Sequence, residues 1–219
     1  MLVNCSIEQS AQTILSRTTI FQSFELVFKS LVLKPEDAEQ KETLSRVINM
    51  LGKLMKTVDG SQRILHSKDI IIRVLFYFTM DDPEYSKNAL ITLHAACKMP
   101  EFREVCFNQH KFTMQSFDPY VEKANSKFMK AYETQAWEDY VNICASITAF
   151  SGVFPERKSD FKNVIVPLIK VMGDKLDKVR KNSAVLLAKL VEENEENRKI
   201  MTDNHGTEIL MSVQQSLFR

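Results

Sequence analysis

Two Cys/His pairs have a spacing that could assemble a metal centre. His94 and Cys97 lie one helical turn apart, as do Cys106 and His110, with eight residues between the pairs. Two thiolates and two imidazoles are a tetrahedral zinc set. The competing reading is that both pairs sit at helix positions where cysteine is a small buried hydrophobe. Cysteine catalysis would need a thiolate beside a base. The fourth cysteine is Cys5, and none of the four has a catalytic flanking signature or forms a CxxC pair. Free thiols in a reducing compartment follow. Five scattered glycines leave no phosphate-cradling loop. The carboxylates Glu192, Glu193, Glu195 and Glu196 read as a solvated connector. A basic cluster, Lys175, Lys178, Arg180 and Lys181, is diluted by Asp174 and Asp177 and has no interleaved aromatics to stack bases. The expectation is no catalytic residue, no metal, no cofactor and no nucleic acid. A metal-binding or enzymatic protein centred on His94, Cys97, Cys106 and His110 is the alternative.

The elements that position these side chains are helices. The chain has 219 residues, of which 44% are hydrophobic and 26% charged, with a net charge of +1. So balanced a charge gives no bulk attraction to nucleic acid or membrane surface. Only 5 Gly and 6 Pro are present, too few for a succession of hairpins. Apolar residues recur at helical spacing, as in Val47, Met50, Leu51 and Leu54, or Val185, Leu186, Leu190 and Val191. The longest apolar stretch, Ile70 to Phe78, is broken by Arg73 and falls short of a membrane span. An all-α chain without membrane insertion is expected.

A repeat emerges from one ruler. Arg198 is followed 11 and 12 residues later by Ile209 and Leu210. Arg63 stands in the same relation to Val74 and Leu75, Arg157 to Leu168 and Ile169, and Arg103, less well, to Met114 and Gln115. Each follows an apolar helix: 47–55, 89–97, 141–150 and 185–191. The Arg-to-Arg spacings are 40, 54 and 41 residues. Two match the ~40–47-residue period of stacked helical repeats. The long one places an insertion at 117–136, with enough apolar residues for its own helix.

The last unit resembles an armadillo repeat through Val179, Arg180, Lys181, Asn182, Ala184, Leu187, Leu190, Asn197, Arg198, Ile200, Gly206 and Leu210. The segment from Ser86 to Phe117 looks like a second copy, and 46–78 and 139–172 like looser ones. The resemblance implies a right-handed α-solenoid in one domain, 1–219, with repeats near 1–31, 43–79, 85–117, 137–172 and 175–218. Gly206 is read as giving flexibility where the closing helix starts. The chain begins as if mid-repeat, so more protein is expected upstream. The armadillo proteins that carry nuclear cargo pair a groove Trp with an Asn one turn on. Trp137 has no such Asn, which disfavours that role.

The resemblance also implies function: a cytoplasmic, non-catalytic scaffold that binds a peptide or protein domain on a concave face. Two parents fit. One is a larger tetratricopeptide-repeat and armadillo protein serving ciliary dynein-arm assembly or myosin chaperoning. The other is a general cytoskeletal or signalling scaffold. Positions 6, 10 and 14 after each repeat Arg are expected to share the partner-facing stripe. They are Asp69, Arg73 and Tyr77, then Gln109, Thr113 and Phe117. Asn163, Pro167 and Val171 follow, with Lys170 beside them, and Asn204, Glu208 and Ser212 close the series. The polar residues at position 6 could bond an extended peptide backbone or cap helix starts. Pro167 either kinks its helix or sits in the first turn.

Overall fold

A computed structural model describes residues 18–30, 37–173 and 176–217. Among them are twelve α-helices and no strand. None is long and apolar enough to cross a membrane. The chain divides into two compact units, Met1–Tyr120 and Val121–Arg219.

The first unit holds α1 (Thr18–Ser30), α2 (Ala38–Leu54), α3 (Val58–His66), α4 (Lys68–Thr79), α5 (Pro83–Cys97) and the short α6 (Phe102–Glu104). Its starts are fixed by side chains. Asp37 accepts the Gln40 N–H at 2.7 Å. Asp82 accepts from Glu84 and Tyr85 at 3.0 and 3.1 Å, with Pro83 in the first turn, where its missing N–H costs nothing. In α2 the buried Leu44, Val47, Ile48, Leu51 and Leu54 form the apolar stripe that packs on α5, and α5 packs on α4. Full burial of each such side chain is worth roughly 1.5–3 kcal/mol. α6 runs into a π turn, Val105–Gln109, and a 3₁₀ turn, Met114–Phe117, leads into α7 (Asp118–Glu133). That helix lies within 117–136, the segment expected to be an insertion. Its Tyr120 ring lies 5.1 Å from Phe78 in the first unit, and its Phe128 lies 5.0 Å from Tyr140 in the second.

The second unit holds α8 (Trp137–Val153), a 3₁₀ segment (Pro155–Val164), α9 (Ile165–Val171), α10 (Asp177–Val191), α11 (Glu195–Asp203) and α12 (Gly206–Leu217). α8 packs on α10, and Ile143, Cys144, Ile147, Leu186, Leu187 and Leu190 on the two helices are all buried. Tyr140 and Ser183 join them by a 2.8 Å hydroxyl bond. Pro167 is the third residue of α9, inside the first turn, so it replaces an N–H that has no intrahelical partner.

Both units repeat one order: a long helix, a short turn or helix, and a closing helix. Side-chain bonds within each unit join residues 34 to 45 positions apart. Tyr85 donates to the Lys41 carbonyl (3.0 Å), His110 Nε2 to the Leu65 carbonyl (2.7 Å) and His66 Nδ1 to Gln109 Oε1 (2.6 Å). In the second unit, Asn197 donates to the Lys158 carbonyl (2.9 Å) and Lys162 pairs with Glu196 (2.9 Å).

Gly206 plays a different part from the one its sequence context suggests. No glycine among the described residues has positive φ; the left-handed turn is taken by His205 at 56°. A Cβ on Gly206 would come within 2.6 Å of Met201 and 2.8 Å of Ile169. The glycine supplies space, not flexibility.

Candidate functional site

The structure does not assemble the Cys/His centre. No group of three or more His, Cys, Asp or Glu able to hold a metal occurs among the described residues. His110 is buried, and its Nε2 proton is committed to the Leu65 carbonyl. Cys97 and Cys106 are buried too. Burial raises the Cys97 thiol far above its ordinary range, with Cys106 beside it adding to the effect, and burial pushes the Cys106 thiol up to about 12. Cys144 is raised in the same direction by the same cause. Thiolates are the nucleophile and ligand form, and these three thiols stay protonated at neutral pH. Cys5 lies outside the described residues. In folded protein, iodoacetamide is expected to leave Cys97, Cys106 and Cys144 unmodified and to label them after guanidinium unfolding. Peptide mass mapping reads each position; labelling of any of the three in the native chain would overturn their assignment as inert core.

Two acids of the connector are ion-paired, Glu192 with Lys158 and Lys189 and Glu196 with Lys162. Glu192 is held below the usual carboxylate range by hydrogen bonds from Lys189 and Lys158. In the basic cluster, Arg180 bonds Asp177 at 2.6 Å. Lys178 and Lys181 are exposed, and Asp174 and Lys175 fall outside the described residues.

The expected partner-facing stripe does not stay on one face. Asp69 is exposed and Arg73 half-buried, but Tyr77 is fully buried. Each i+4 step advances about 40° around a helix of 3.6 residues per turn. Two steps carry Tyr77 about 80° round, into edge contacts with Phe28 and Tyr85 at 6.0 and 6.2 Å. Phe117 is likewise core, at 1% exposure, and Pro167 and Val171 are buried. Tyr77 and Phe117 therefore present no surface to a ligand. Gln109, Thr113, Asn163, Lys170, Asn204, Glu208 and Ser212 are exposed.

None of the four residues at position 6 is an N-cap. Asp69 is in the first turn of α4, after the N-cap Ser67; Asn204 ends α11, bonding the Ile200 carbonyl at 2.8 Å. The arginine ruler also marks unlike positions. Arg63 lies six residues after the N-cap Thr57, whereas Arg198 lies four after Asn194. Arg73 is occupied locally: it donates to the Lys29 carbonyl at the end of α1 and lies over the Phe28 ring at 5.6 Å.

The side chains that α4 does turn outward are Lys68, Asp69 and Ile72 and, partly, Arg73, Leu75, Phe76 and Thr79. Ile72 is 44% exposed. It shares with Phe76 a groove of about 500 Å³, completed by Leu75, Phe112 and Pro119. That volume is ordinary for a ligand pocket. The far wall is set by a left-handed cap. After the π turn Lys111 takes φ 58°, and the Phe112 N–H returns to the Cys106 carbonyl at 2.9 Å. Among the described residues, the charged groups lining the groove are Lys68 and Lys111. The Lys68 ammonium sits 5.8 Å from the Phe112 ring centroid. Across the Ile72–Phe76 ridge lies a second hollow of about 440 Å³, lined also by Lys29, Asp69 and Arg73. Asp69 is neutralised by Lys29 at 2.8 Å, whose hydrogen bond holds the carboxyl below its usual range.

Residue spacing did not single out Ile72, Lys68, Lys111 or Phe112. Ile70, Ile71 and Ile72 are identical in type, and only the packing of α1 and α5 on α4 decides that the third faces out. No protein-family model matches the sequence and no curated protein is significantly similar to it, so the armadillo resemblance rests on the residues that carry it.

Proposed function

We propose that this chain is a non-catalytic protein-interaction module built of armadillo-like repeats, with the outer face of α4 as its contact surface. The observation that carries this reading is Ile72 and Phe76, which form an apolar ridge at the mouth of a groove. An apolar groove rimmed by charge is what a docking surface offers: anchors at its centre and polar groups around them. The repeated long–short–closing order and the bonds between residues 34 to 45 positions apart support the repeat architecture, in which each unit buries its core against the next.

The test is positional. Benzoylphenylalanine is introduced at 72, at 58 and at 185, and the chain is irradiated in its own cells. Val58 and Val185 are also exposed apolar residues, at 81% and 50%. The expected result is covalent adducts at 72 that are missing at 58 and 185. Absence of adducts at 72, or the same adducts at all three positions, would overturn the assignment of the surface.

A further inference from the structure

We infer that the groove takes an acidic amphipathic segment of another protein, two apolar side chains on one face flanked by carboxylates. The inference rests on the interaction-module reading above and names the chemistry of its partner.

Two observations converge. The floor is apolar: Ile72, Leu75, Phe76, Phe112 and Pro119 come from α4, from the cap after the π turn and from the start of α7. The rim is cationic. Lys68 and Lys111 stand at the groove itself, whereas in the hollow on the other side of the ridge Lys29 and Arg73 are offset by Asp69 and Glu25, with which Lys29 pairs at 2.8 and 3.2 Å. The one acid lining either hollow among the described residues, Asp69, is already paired with Lys29. The chain as a whole carries +1, so two lysines lining a groove that no acid lines among the described residues are a local excess that the composition does not show.

Placement sharpens the point. Lys68 is the first residue of α4, where the helix dipole disfavours a cation. Its ammonium is held against the Phe112 ring at the groove wall. Lys111 is fully outside the core, on the residue that takes the left-handed turn. A basic segment would add like charge beside both ammonium groups, and a neutral apolar one would desolvate them with no charge to meet them. An acidic one meets them, and apolar residues one turn apart on a helix would fall along the ridge.

The experiment is selection of a displayed library of random 12-residue peptides against the full chain, followed by affinity measurement of the enriched peptides. The expected winners carry an apolar pair at i, i+3 or i, i+4 with Asp or Glu on both sides. Three variants then read the contact. Ile72→Ser should abolish binding. Lys68→Glu with Lys111→Glu should weaken it by about ten-fold or more at low salt, with less loss at high salt. The same charge-reversed chain should bind a copy of the winner whose acids are replaced by lysine. All three positions are on the surface, and unchanged circular dichroism shows that the variants fold. Enrichment of basic or uncharged peptides, winners indifferent to these changes, or no enrichment would overturn the inference. If adducts still form at position 72 while the acidic preference fails, the surface stands and only its partner chemistry falls. If neither appears, both readings fall.

Discussion

Asn197→Ala is expected to lower the stability of the second unit by about 3 kcal/mol. Asn197 has no exposed surface. Its amide donates to two backbone carbonyls, Lys158 at 2.9 Å and Leu190 at 3.0 Å. Leu190 lies in the last turn of α10, where a helix leaves its carbonyls without intrahelical donors. Three consecutive carbonyls there are met by side chains: Leu190 by Asn197, Val191 by Arg198 at 3.4 Å, and Glu192 by the buried Lys158 at 2.6 Å. Alanine strands one carbonyl of α10 and another of the 3₁₀ segment, and a buried group left unpaired costs roughly 1–3 kcal/mol. Urea unfolding measures the loss. Hydrogen exchange should show it as faster exchange in peptides from α10 and α11. Asn197→Leu separates hydrogen bonding from volume, because it fills the space without donating. It should lose as much as alanine; near-native stability of the leucine variant would sink the argument.

This cap also reinterprets the motif through which the repeat was read. Asn197 and Arg198 are two of the residues that resemble an armadillo unit, and both serve the end of the preceding long helix. Their spacing marks a corner of the fold and carries no direct information about a ligand.

The helical class was legible because α2 and α10 keep an apolar stripe at period 3.6, as in Val179, Leu186, Leu187 and Leu190. The segments between them were less so. The turn at Val105–Gln109 is π and the segment Pro155–Val164 is 3₁₀. A change in hydrogen-bond register over a few residues leaves almost no trace in apolar spacing. The groove was hidden for a related reason. Its walls come from segments some forty residues apart, Lys68 to Phe76 and Lys111 to Pro119. Their meeting depends on the left-handed residue Lys111, which is not a glycine and so announces no turn. Lys68 and Lys111 looked like ordinary surface lysines until both faced the same apolar floor.

Glycine substitutions in two helices should have opposite signs, and the difference tests the packing directly. Helix propensity alone gives alanine an advantage of up to about 1 kcal/mol over glycine. At Gly152, in α8, that advantage should appear as a gain. An added Cβ there meets only the Cε of Lys189, at an ordinary contact distance of 3.5 Å. At Gly60, in the first turn of α3, sterics should win. Its Cβ would lie 2.5 Å from the Leu54 carbonyl oxygen and 2.5 Å from Thr57 Oγ1. Neither can retreat. The Leu54 oxygen is backbone at the end of α2, and the Thr57 hydroxyl is held between that oxygen at 2.9 Å and the Gly60 N–H at 3.1 Å. Overpacking costs roughly 1–3 kcal/mol and loss of the cap about 1 kcal/mol. Set against the propensity gain, Gly60→Ala should lose about 2 kcal/mol. Urea midpoints of the two variants decide the matter. A rise for both would mean that the corner between α2 and α3 is looser than these contacts require. A fall for Gly60→Ala beside a rise for Gly152→Ala would show that the corner is held by the Thr57 cap and the absence of a side chain at Gly60. That same corner sets the direction in which α3 leads into α4, and so where the Lys68–Phe76 face of the groove points.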